Sequence, residues 1–128
     1  MAAHARHTNT TGGILAAFGI DVVLVTVFAA IGRASHTEAM FAGLATTAGP
    51  FLAALVVGWL VSLAWRAPRA VVRTGIPVWV VTVVGGMLLR ALSGQGVQVA
   101  FVIVATIVLL VLLVGWRAIA ALIARRRH

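Results

Sequence analysis

The chain has 128 residues, 62% of them hydrophobic and only 9% charged, where an average soluble domain carries about 25% charged residues. One small domain cannot hide that much apolar surface from water, so lipid must solvate most of it. The net charge of +8 does not mark a nucleic-acid partner, because the arginines flank apolar stretches as membrane insertion requires, and the lack of cysteine excludes disulfides, thiolate metal sites and thiol nucleophiles.

Residues 1–12 read as a disordered cytoplasmic tail. Four stretches then approach or exceed the roughly 20 apolar residues that a span needs, in a transmembrane domain over 13–123. The first, 13–32, carries one acid, Asp21. It is too long for the apolar part of a cleaved signal peptide, and it holds a carboxyl group within it. The second, 39–65, is interrupted by Gly49-Pro50. The third, 76–92, is the shortest and ends with Arg90 inside it. The fourth, 97–116, contains Ile107–Val114 without a small or polar residue, and residues 124–128 form a basic tail. The fold class expected is therefore all-α, an integral membrane four-helix bundle. The connections between spans are short, which makes consecutive helices antiparallel neighbours.

All ten basic residues are arginine. With consecutive spans antiparallel, Arg6, Arg66, Arg69, Arg73, Arg117, Arg125, Arg126 and Arg127 share one side, and Arg33 and Arg90 the other. Eight against two places the first side, with both termini, in the cytoplasm. The location expected is the bacterial inner membrane. Trp65 and Trp116, each followed by an arginine, fit anchors at the inner interface.

Gly19–Val27 aligns without gaps to Gly75–Val83, six of nine positions being identical, and Phe41–Thr46 echoes Phe101–Thr106. Two readings stand: the bundle is a pair of duplicated helical hairpins, or valine-rich spans have aligned by chance.

Few positions can carry chemistry. Asp21 lies about 12 Å along its helix from Gly13 at 1.5 Å per residue, and an intramembrane acid costs roughly 2.5–3.5 kcal/mol on insertion scales. It is either a proton- or cation-binding carboxylate or a packing clasp bonded to Thr82, Ser62 or Arg66. Arg90 lies about 21 Å along the third helix from Ile76. It is either an anion or headgroup site or an arginine snorkelling outward. Trp79, Thr82, Gly86 and Arg90 share one stripe of that helix. Arg33, His36 and Glu38 follow the first span on the outer side and can form a polar cluster with Arg90. On the second helix Ala54, Gly58 and Ser62 form a small-xxx-small packing face, and Pro50 releases a backbone carbonyl near Thr46 and Thr47. No histidine lies within a span and no nucleophile–base–acid set can be assembled, so neither an enzyme nor a cofactor or metal site is expected.

Several short motifs occur together in order. They are Gly32-Arg33-x-x-His36, Pro50-Phe51, Ala64-Trp65, Val78-Trp79 followed by Thr82, Met87-Leu88-Leu89-Arg90, Ser93-Gly94-Gln95-Gly96 and Gly115-Trp116-Arg117. From about Gly19 to Arg117 the chain resembles an uncharacterised four-span family, domain of unknown function family 3054. That resemblance implies a bacterial, chiefly actinobacterial, integral membrane protein and implies no activity. Two functions remain open. The leading one is a small transporter or channel component for a proton-coupled or anionic solute, using Asp21. The other is a structural or accessory subunit of a larger membrane complex. The partners expected are the lipid bilayer and either further copies of the chain or another membrane protein.

Overall fold

The computed structural model describes residues 10–33 and 40–126, and the side chains of residues 32, 33 and 40–42 lie outside that description. Helix α1 is Thr11–Arg33, α2 Met40–Ser62, α3 Ile76–Leu92, α4 Val99–Leu109 and α5 Gly115–Arg126. A π turn at Val71–Gly75 leads into α3, and another at Leu110–Val114 joins α4 to α5. Four continuous rods result, and each holds an apolar stretch long enough to cross a membrane: Thr11–Ile31, Gly43–Ser62, Val71–Leu92 and Val99–Arg126. No strand occurs among the described residues. The protein is an all-α, multi-pass membrane bundle.

The rods form a ring in which α1 and α3 each pack against α2 and the fourth rod. Neighbours are antiparallel: Phe18 meets Trp59 where Phe28 meets Phe51, and Gly58 lies beside Val78 where Gly85 lies beside Ala54. Each helix turns one stripe inward. On α1 the buried positions are Ala17, Asp21, Val25, Phe28 and Ala29, while Leu15, Val23 and Ile31 are exposed. That is helical spacing with the apolar outside that lipid demands. Hydrocarbon gives helices no hydrophobic reason to associate, so close backbone approach must supply the packing. At the α2–α3 seam a Cβ on Gly85 would stand 2.9 Å from that of Ala54, and one on Gly86 would overlap the Phe51 ring. Ala54 and Gly58 of the expected small-residue face are both buried there, whereas Ser62 is only half-buried.

The rod ends differ from those expected. Thr10 accepts the Gly13 N–H on its hydroxyl at 2.9 Å, a cap that starts α1 at Thr11, within the stretch read as tail. Helix α2 stops at Ser62, short of 65, because Leu63 takes the left-handed conformation at φ 53, ψ 48. Five residues before Ile76, the third rod has already begun. The fourth continues ten residues past Trp116 to Arg126. Its Ala118–Ala124 stretch is made largely of good helix formers, and Arg125 and Arg126 suit the negative end of the helix dipole.

Helices α1 and α3 run in the same direction, as a duplicated hairpin requires, yet their matched positions do different work. Asp21 corresponds to Pro77, which sits in the first turn of α3.

Candidate functional site: a buried carboxylate clasp

Asp21 lies midway along α1 with no exposed surface. Four N–H groups point at its two oxygens. Trp59 Nε1 donates to Oδ2 at 2.7 Å and Trp116 Nε1 to Oδ1 at 2.8 Å. Arg117 closes a two-pronged pair, Nη1 to Oδ1 at 2.9 Å and Nη2 to Oδ2 at 2.7 Å. A carboxylate has about four acceptor sites, so this one is full. All four bonds carry charge assistance, and the fork-to-fork pair also fixes orientation.

Arg117 is equally withdrawn, at 0% exposure. Its Nε donates to the carbonyl of Pro68 at 2.8 Å, and Nη1 also donates to that of Leu113 at 2.9 Å. Its guanidinium carbon lies 4.7 Å from the centre of the Trp116 ring. Gly75 makes room for its stem, since a Cβ there would come within 3.2 Å of Arg117 Cδ. The segment that supplies Pro68 is itself folded back: Thr74 donates its hydroxyl to the Ala67 carbonyl at 2.6 Å and Gly75 its N–H to that of Ala70 at 2.9 Å. One carboxylate thus ties together α1, α2 and the fourth rod, and through Arg117 the 63–75 connection.

The π turn explains how Arg117 reaches this place. Ala105, Leu109, Leu113 and Arg117 are the buried positions of the fourth rod, each four residues from the last. At 3.6 residues per turn, three such steps rotate the chain about 120° away from the starting face. A π turn absorbs one extra residue, about 100° of rotation, and returns Arg117 to the core stripe. In a plain α-helix its head would be directed out of the bundle.

The sequence expectations divide here. Asp21 is central, but the hydrogen bonds to it come from Trp59, Trp116 and Arg117 and not from Thr82 or Ser62. Thr82 and Ser62 are instead the two described residues whose buried side-chain oxygens have no hydrogen-bond partner. Trp116 is a donor to the acid as well as a residue near the span's end, whereas Trp65 remains exposed. The dipeptide Gly-Trp occurs twice, at Gly58-Trp59 and Gly115-Trp116. That recurrence was a signal for the paired indoles, and nothing in α-helical periodicity was a signal for Arg117.

At the opposite end Arg90 is partly exposed and holds the turn after α3. Its Nε donates to the Gly96 carbonyl at 3.2 Å, Nη1 to Gln95 Oε1 at 3.1 Å and Nη2 to the Gln95 carbonyl at 3.3 Å. Its guanidinium carbon stands 4.3 Å from the centre of the Phe101 ring. Gln95 Nε2 in turn donates to the Thr46 carbonyl at 3.0 Å, the acceptor that Pro50, lacking an N–H, leaves without its helical donor. The residues of the predicted stripe, Trp79, Thr82, Gly86 and Arg90, share no common partner among the described residues. Trp79 Nε1 donates to the Thr106 carbonyl at 3.0 Å, Gly86 seats Phe51, and Arg90 serves the turn. The Arg33 side chain, His36 and Glu38 lie outside the described residues. No group of three or more potential metal ligands is present among the described residues.

A family model, Protein of unknown function (DUF3054), matches residues 18–120. The chain belongs to that family. No curated protein and no solved structure matches it. All four members of the clasp in this DUF3054 chain, Asp21, Trp59, Trp116 and Arg117, fall within the matched residues, and so does Arg90.

Proposed function

We propose that this protein is a structural or accessory subunit of a larger assembly in the bacterial cell membrane, with both termini cytoplasmic, and not a carrier in its own right. The observation that supports this reading is the saturation of Asp21. A carboxylate that couples transport must offer a lone pair to an arriving proton or cation. Here all of its acceptor sites are taken by Trp59, Trp116 and Arg117. Such an arrangement is suited to holding three helices and a connecting segment in one packing. The opening between α1 and α4 is also lined only by apolar atoms, which suits lipid rather than a hydrated solute.

The rival is proton- or cation-coupled transport, in which the Asp21–Arg117 pair opens and closes. An ionisable pair inside a membrane is a functional site by default, and this one also holds Pro68, so its rupture would free the 63–75 connection. Reconstitution separates the two. Purified protein in liposomes carrying a pH gradient and an interior pH dye should leave the gradient intact, and crosslinking in native membranes should recover a membrane-protein partner in near-equal amount. A dissipation of the gradient that Asp21→Asn abolishes while the protein stays folded would overturn the accessory reading.

A further inference from the structure

We propose that the outer half of the α1–α4 seam is a binding site for one anionic phospholipid, its acyl chain in the seam and its phosphate on Arg90. The seam is a cleft of about 230 Å³ lined by Phe28, Ile31, Ala100, Phe101, Val104 and Val108. Liquid water occupies about 30 Å³ per molecule and needs two to four polar partners to be held. This cleft offers none, so hydrocarbon is its natural filling. Ile31 and Val104 are more than half exposed, which leaves it open sideways to the bilayer. From Ala100 to Val108 it runs about 12 Å along the helix at 1.5 Å per residue, in the direction an acyl chain takes from headgroup to bilayer centre.

The charge stands at the right end of this cleft. Arg90, two residues before the end of α3, stacks on Phe101, which is itself part of the wall. Its three described acceptors are all neutral: the Gly96 and Gln95 carbonyls and the Gln95 side-chain oxygen. A guanidinium has five donors, of which the described residues take three, one each on Nε, Nη1 and Nη2, and a phosphate oxygen is a strong acceptor for an N–H of such a cation. Among the described residues no carboxylate pairs with it; the described ion pair is Asp21–Arg117. A chain-filled apolar groove capped by a cation with neutral partners matches the two halves of an anionic lipid. Neither half alone would.

The test is native mass spectrometry on delipidated full-length protein titrated with phosphatidylglycerol or phosphatidylcholine. The expected result is one retained phosphatidylglycerol per chain, held about tenfold more tightly than phosphatidylcholine. Arg90→Gln should remove that preference, and Val104→Trp, which fills the cleft and leaves Arg90 in place, should weaken both lipids. Inorganic phosphate should not compete at millimolar concentration, since the acyl chain supplies part of the affinity. Equal retention of the two lipids by the wild type, or unchanged phosphatidylglycerol binding in folded Val104→Trp, would overturn the proposal. The Val104 variant keeps the test decisive if Arg90→Gln fails to fold.

Discussion

Arg117 and Arg90 occupy opposite halves of one bundle and answer the same difficulty in opposite ways. Arg117 has no exposed surface, and a full carboxylate, two backbone carbonyls and an indole ring surround it. Arg90 keeps part of its surface open and is held by neutral oxygens and one phenyl face. A cation sealed from water must meet a complete counter-charge, because desolvation of a lone ion is very costly. One beside the headgroups can settle for dipoles and keep donors for a visitor. Exposure therefore separates a charge that builds the fold from one that can bind.

That contrast predicts unequal consequences of mutation, read as unfolding midpoints in detergent. Asp21→Leu strands the Arg117 guanidinium inside the bundle and should cost about 3–5 kcal/mol. Adding Arg117→Met should recover most of the loss, since an apolar pair of similar volume commonly replaces a buried ion pair without penalty. Were the double variant no better than the single one, the pair would not be the unit that matters. Trp59→Phe removes one charge-assisted bond to Asp21 and should cost about 1.5–3 kcal/mol. Trp116→Phe should fall at the lower end of that range, because Trp116 is only partly buried whereas Trp59 is 6% exposed. Arg90→Gln should cost less than either, about 1 kcal/mol or below, because Arg90 is partly exposed, so that solvent can replace its bonds when they are lost. A larger loss at Arg90 than at Trp59 would reverse the comparison.

The sequence revealed these two regions to different depths. Four spans were legible because apolar length reports directly on lipid solvation, and Asp21 because an acid inside such a stretch stands out. Its counter-charge was hidden. Arg117 looks like one more inner-flank arginine after Trp116, and only the π turn at Leu110–Val114 together with the extension of the rod to Arg126 brings it inward. Valine and leucine runs carry no mark of where a π turn will fall. The role of Gln95 was equally invisible, since side chains in a turn are aimed by tertiary packing. The released carbonyl near Thr46 that it meets could be read from Pro50 alone.

That last contact gives the smallest and sharpest test. Pro50 brings no N–H to the Thr46 carbonyl, and the Gln95 side chain, 49 residues beyond Thr46, donates there at 3.0 Å. Gln95 also accepts from Arg90, so it joins α2 to the turn that carries the outer cation. Gln95→Ala should cost about 1 kcal/mol, the net worth of an ordinary hydrogen bond. Pro50→Ala restores an amide one helical turn from Thr46 and should make Gln95 largely dispensable for that carbonyl. In a double-mutant cycle the cost of Gln95→Ala should then fall by about half a kcal/mol or more, a coupling within the range expected of groups that share one partner. Strict additivity would mean that Gln95 acts through Arg90 alone, and that the outer region stands on its turn without the help of α2.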